Sequence, residues 1–270
     1  MAMQIFKNAN ASKEGYKQTY GINNASVLKR AMAFLVDLIL LIVLATGLLY
    51  VSGKVFDYDG NYAKLEEKYE YYGIYTGTTT DGVKDACVIE YNEDGSIKED
   101  DPCYLNWKAF NADEEAMYYR TKCDNLMLLM LSSSTFLAVI ILEFILPLIF
   151  KNGRTLGSLL MHIGLIRSDG VKATPVQLFA RAVIGRWGIE TMIPLLSFAF
   201  AMVNPSGGLM GMIIIFVFLI IETICIGFTK NHTSIHDLIP GLVCVDNDSQ
   251  FYANDIGELL RMKESVKTNK

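Results

Sequence analysis

Apolar positions dominate four stretches of the chain, and polar positions fill the segments between them. The first stretch runs from Ala31 to Val51, 21 residues interrupted by Asp37 and Thr46. As a helix it is about 30 Å long, the thickness of the hydrocarbon core of a bilayer. The pattern predicts membrane spans at 31–53, 125–150, 182–203 and 208–228. Residues 1–30 then read as a polar arm in which Ser26 can cap the first helix, and 229–270 as a polar tail. Between the first two spans, NYAKLEEKYEYY reads as a short helix. The stretch from Gly73 to Trp107 reads as short strands with turns at Asp81-Gly82 and Asp94-Gly95. ADEEAMYYRTKCDN reads as a helix running into the second span. Thr174-Pro175 supplies an N-cap and a first helical residue, so a helix starts there and continues into the third span. NPSGG forms a tight turn before the fourth. The expected fold is an all-α membrane protein with four transmembrane helices and an α+β insertion between helices 1 and 2.

Composition agrees: 51% of residues are hydrophobic and the mean hydropathy is +0.28, values of an integral membrane protein. The polar arm before the first span shows no cleavage pattern, which points to a retained anchor. The net charge of -5 is unevenly spread, because 54–124 holds 17 Asp and Glu against 8 Lys and Arg. The segment 151–181 is the opposite, with Lys151, Arg154, Arg167, Lys172 and Arg181 against Asp169. By the positive-inside rule this basic loop is cytoplasmic or interfacial, both termini are cytoplasmic, and the acidic 54–124 domain is extracytoplasmic. In an oxidising compartment Cys87 and Cys103 are a candidate disulfide closing a short loop.

Some chemistries are excluded. No basic patch with interleaved aromatics points to nucleic acid. No nucleophile–histidine–acid order and no phosphate loop points to an enzyme, and nothing requires a cofactor. His232 and His236 have metal-ligand spacing, but TSIHD reads as a loop or helix end and no metal is assigned. The Glu-x-x-His pair of di-iron bundles is absent.

The charges inside the spans are the remaining chemistry. Asp37 is seven residues past Arg30, Glu143 eight before Lys151, Glu190 nine past Arg181 and Glu222 eight before Lys230. With a fixed rise per residue, all four lie about 10–14 Å from the cytoplasmic helix ends. Each span thus gives one carboxylate to one layer. Pro147 and Pro194 cannot donate to the carbonyls of Glu143 and Glu190, which frees further oxygen ligands. Carboxylates and loose carbonyls suit a hard cation such as Na+, and four close carboxylates cannot all ionise. The alternative is structural: Arg186 and Glu190 are an i,i+4 pair, Arg30 can reach Asp37 or Asp237, and a buried ion network fixes helix register. Ser132, Ser133, Ser134 and Thr135 can line a vestibule or bond to their own helix.

Three places together resemble the RDD family of bacterial membrane proteins: Arg30 followed by Asp37, the glycine-rich GRTLGSLLMHIGLIRSDG after the second span, and the closing IHDLIPGLVCVD. The resemblance covers the spans and not 54–124. It implies a multi-pass protein of the bacterial cell membrane in which Arg30, Asp37 and Asp237 are the name-giving residues, and it says little about activity. Two functions are expected from the whole reading. One is binding or transport of a monovalent cation in exchange for protons, through Asp37, Glu143, Glu190 and Glu222 with Arg30, Arg186 and Asp237 as a charge network. Four helices are few for alternating access, which favours a homodimer. The other is a non-transporting accessory protein whose acidic domain binds an extracytoplasmic protein partner. The lipid bilayer is the environment in both.

Overall fold

The computed structural model describes residues 21–78, 84–203, 208–229 and 231–268. The first twenty residues of the arm, the Asp81-Gly82 turn, most of the NPSGG turn and Lys230 lie outside the described residues. The chain is mostly helical and divides into two compact units, one of residues 1–46 with 135–270 and one of residues 47–134.

Among the described residues, three helices are long and apolar enough to cross a membrane. They are α1 (Val27–Val55), the continuous helix Glu114–Ile149, and most of α9 (Gly208–Phe228). The expected third span is helical too, but it is not one of these. It consists of α7 (Pro175–Ala180), a π-helical segment Arg181–Thr191 and α8 (Met192–Val203). Thr174 caps it through a reciprocal capping box with Gln177, and Pro175 sits in its first turn. The helix Glu114–Ile149 is likewise composite, with α4 (Glu114–Val139), a π segment Ile140–Ile145 and α5 (Leu146–Ile149). Each π segment ends just before a proline, Pro147 or Pro194. A missing N–H there disturbs the i→i+4 ladder, and the register shifts to i→i+5: Leu146 N–H donates to the carbonyl of Ile141.

In the larger unit, β3 (Ile163–Arg167) pairs antiparallel with β4 (Leu242–Asp246), with Leu165 opposite Cys244. Residues 23–25 extend this ladder: Ala25 N–H donates to the Cys244 carbonyl, and Asp246 N–H to that of Asn23. Ile163, Leu165, Ile166, Leu242, Val243 and Val245 are all buried. A strand covered on both faces shows a continuous apolar run rather than alternation, which is why the sequence read here as loop and tail. The short helix α6 (Leu156–Leu160) leads into β3, and α10 (Ile235–Leu238) leads into β4. The helix α11 (Ile256–Thr268), also unforeseen, buries Leu259.

In the smaller unit, α2 (Tyr58–Tyr71) leads into a hairpin of β1 (Tyr75–Thr78) and β2 (Lys84–Ala86). The stretch expected as a strand near Cys103 is instead α3 (Pro102–Ala112). Asp101 accepts from Tyr104 N–H and Pro102 takes the first helical position, a start signal present in the sequence. Leu65, Ile74, Phe110, Ala116 and Cys123 form the core, with Tyr69, Tyr72 and Trp107 packed on it. Cys87 and Cys103 are joined, sulfur to sulfur at 2.03 Å.

Asp113 ties this unit together. Its carboxylate accepts from Lys68 Nζ at 3.1 Å, Tyr72 Oη at 3.0 Å and Glu115 N–H at 2.8 Å. Lys68 first, with these N–H and O–H donors, lowers the Asp113 pKa from 3.8 to about 2. A depressed carboxyl stabilises the fold above its unfolded pKa and loses that effect as pH falls through the folded value. Thermal scans from pH 5 to pH 2 should therefore show wild type losing stability below about pH 4 more than Asp113→Asn does. Parallel curves for the two proteins would show that this carboxylate is not the linked group.

Candidate functional site

Most of the charges expected within the spans meet in the larger unit, and Arg181 is their hub. Its Nε donates to Asp237 Oδ1 at 2.7 Å and its Nη1 to Glu143 Oε2 at 2.6 Å, while Nη2 lies 3.2 Å from His236 Nε2. Arg186 stands beside it. Its Nε lies 3.3 Å from Glu143 Oε1, its Nη1 donates to Glu190 Oε2 at 2.8 Å, and its guanidinium covers the Phe34 ring at 4.9 Å. Glu190 Oε1 in turn lies 2.5 Å from His236 Nδ1. Arg181, Arg186, Glu143 and Asp237 are all buried.

Local structure explains the convergence. Arg181, Arg186 and Glu190 are five and four residues apart, and in a segment bonded i→i+5 that spacing puts all three on one face. In an ordinary α-helix Arg181 would diverge from the pair. Sequence reading accordingly placed it at the end of the basic loop and missed it. Gly185 admits the backbone of the His236 segment: a Cβ there would come within 2.6 Å of the His236 Cα. Ser234 orients the His236-Asp237 pair, its Oγ 3.2 Å from His236 Nε2 and 3.3 Å from Asp237 Oδ2. Burial works against ionisation of Asp237, but His236 and Arg181 outweigh it and hold the carboxyl well below its usual range. Burial and that same aspartate push the neighbouring Cys244 thiol up.

The expected residues occupy different places. Glu143 and Glu190 are linked through Arg186, and Glu190 and Glu222 each place an oxygen in one group with a His236 nitrogen, all within 4.8 Å of one another. Glu222 accepts from the Ile235 N–H at 3.3 Å. Asp37 feels the charges of Glu143 and Arg186, but its hydrogen bonds serve the glycine-rich loop. Its Oδ1 accepts from Gly157 N–H at 2.7 Å and its Oδ2 from Thr155 Oγ1 at 2.6 Å. Asp37 thus acts as a distant cap for α6, where N–H groups need acceptors. Arg30 does not meet Asp37 or Asp237 by any hydrogen bond. It donates to the carbonyls of Asn231, His232 and Cys244, holding the tail against α1. Ser133 and Ser134 donate to the Met130 carbonyl of their own helix.

The balance of charge is the chemically informative feature. Five carboxylates, those of Asp37, Glu143, Glu190, Glu222 and Asp237, stand against the guanidinium groups of Arg181 and Arg186 and the His236 imidazole. Even with His236 charged, two negative charges are left over. Unbalanced charge in a low-dielectric site is expensive, and protons, a cation or the nearby Arg30, which donates to the Cys244 carbonyl, are the ways to offset it.

A model of the RDD family matches residues 24–241 of the chain. No curated protein and no solved structure matches it.

Proposed function

The chain belongs to the RDD family, and from this premise we propose that it is a four-span protein of the bacterial cell membrane that binds a small cation at its carboxylate cluster in exchange for protons. The exchange is of the Na+/H+ type in the sense that cation and protons compete for the same oxygens. The excess of carboxylates over basic groups carries this reading. A purely structural network tends towards balance, because every unpaired charge raises the cost of burial. The fourth span in this proposal is the helical stretch 175–203, whose charges face the cluster. Its basic loop, 151–181, and both ends of the chain lie on the cytoplasmic side, as the lysine and arginine distribution requires. The protein is then a binding or transport protein and not an enzyme.

The binding step has a direct readout. Adding the cation to purified protein in weakly buffered detergent solution should release about one proton per cation bound. Glu222→Gln keeps the shape of the side chain and should remove most of that release. Wild-type protein that neither binds cation nor releases protons would refute the proposal.

A second reading rests on the smaller unit. Tyr71, Val88, Tyr91 and Tyr118 are 80%, 82%, 59% and 57% exposed there, on a chain segment with an acid excess. Exposed aromatic side chains are favoured anchors at protein interfaces. In that reading the acidic unit binds a protein partner and the helices hold it in place.

A further inference from the structure

One position in the cluster has the donors of a specific metal site. Glu190, Glu222 and His236 come from three separate elements, the second π segment, α9 and α10. Each offers one ligand atom, and the three atoms lie within 4.8 Å of one another. Arg186 engages Glu190 Oε2, which leaves Oε1 facing His236 Nδ1. Glu222 is met by a backbone N–H and not by a basic side chain at hydrogen-bond distance among the described residues. Behind the imidazole, Nε2 lies 3.2 Å from Ser234 Oγ and 3.5 Å from Asp237 Oδ1. Arg181 Nη2 also lies 3.2 Å from Nε2, so in the metal-free ring the proton sits on Nδ1 towards Glu190, while the Ser234 hydroxyl and the Asp237 carboxylate are placed to accept it at Nε2 when a metal takes Nδ1, as outer partners do for metal-ligating histidines.

We propose that Glu190, Glu222 and His236 bind a divalent transition cation of the Zn2+ or Fe2+ type. This rests on the cation–proton reading above and names the cation class of the same site. Alkali and alkaline-earth ions take oxygen ligands, whereas imidazole nitrogen favours zinc and its neighbours. Two carboxylates match the charge of such an ion. The metal takes the Nδ1 lone pair, displacing the hydrogen bond to Glu190 Oε1, and the ring proton moves to Nε2, where Ser234 and Asp237 accept it in place of the Arg181 donor.

Cobalt(II) is a suitable probe because its visible absorption reports coordination. Titrated into the purified full chain in detergent with excess sodium chloride, it should fill one site and show ligand-field bands. Zinc should displace it and sodium should not. Glu222→Gln should abolish the bands. Ser234→Ala, which removes the hydroxyl that meets the back of the ring and Asp237, should weaken binding about 10–100-fold. His236 packs on Gly185, so its own replacement endangers the fold, and Glu222→Gln is the decisive variant. Wild-type protein without cobalt bands, or Glu222→Gln with bands of equal strength, would overturn the assignment. If sodium still released protons in that case, only the metal assignment would fall. If no cation released protons, the exchange reading would fall with it.

Discussion

Arg181→Gln is expected to destabilise the larger unit by about 3–5 kcal/mol, the cost of leaving buried charges without their partner. Glutamine keeps one hydrogen-bonding arm but removes the charge that Glu143 and Asp237 share at 2.6 and 2.7 Å. Water cannot reach these carboxylates to compensate, since Glu143 and Asp237 are 3% and 2% exposed. Equilibrium unfolding in detergent should show a lower midpoint, and the loss should exceed that of Arg186→Gln. The double variant Arg181→Gln, Glu143→Gln should recover part of it, because removing both partners leaves one uncompensated charge fewer. A full additive loss in the double variant would show that the two side chains act independently.

Gly157→Ala should be at least as damaging. A Cβ at this position would lie 2.1 Å from the Ala33 carbonyl oxygen, 2.9 Å from the Ala33 carbonyl carbon and 2.9 Å from Asp37 Cγ. The obstacle is backbone, which cannot turn aside as a side chain can. Overpacking costs about 1–3 kcal/mol where neighbours can move, and here α6 must separate from α1. That movement also breaks the bonds from Gly157 and Thr155 to Asp37. The expected outcome is protein that is poorly recovered in folded form, with lost amide protection in 155–160. Gly227→Ala is the control, since nothing lies within 4 Å of a Cβ there. Equal behaviour of the two variants would contradict the close approach of α6 to α1.

Much of the local fold was legible because local rules produced it. The long apolar runs gave the three spanning helices, Thr174-Pro175 gave the start of α7, and the polar run before Asn125 gave a helix continuous with the one that follows. Counting acids by the rise of a helix picked out Glu143, Glu190 and Glu222, since rise is nearly independent of sequence. Arg186 was readable as the i,i+4 partner of Glu190, but the other partners were not legible, for two reasons. The π register that turns Arg181 inward is a local departure from the 3.6-residue repeat. The pairing of Ile163 with Asp246 and the clamp of Arg30 on the tail join residues far apart in sequence, and nothing in either segment names the other. Asp101-Pro102, by contrast, was a readable helix start that the strand-like residues around it concealed.

The central question is whether the unbalanced carboxylates trade protons for a cation across a membrane. The most direct measurement is pH inside proteoliposomes holding the purified chain, followed by a trapped dye as Zn2+, Na+, Li+ or K+ is added outside. Cation-dependent dissipation of an imposed proton gradient is expected with wild-type protein, and its loss with Glu222→Gln, which should still insert and fold. Wild-type liposomes that behave like protein-free ones for every cation would contradict the account and leave the cluster a structural network.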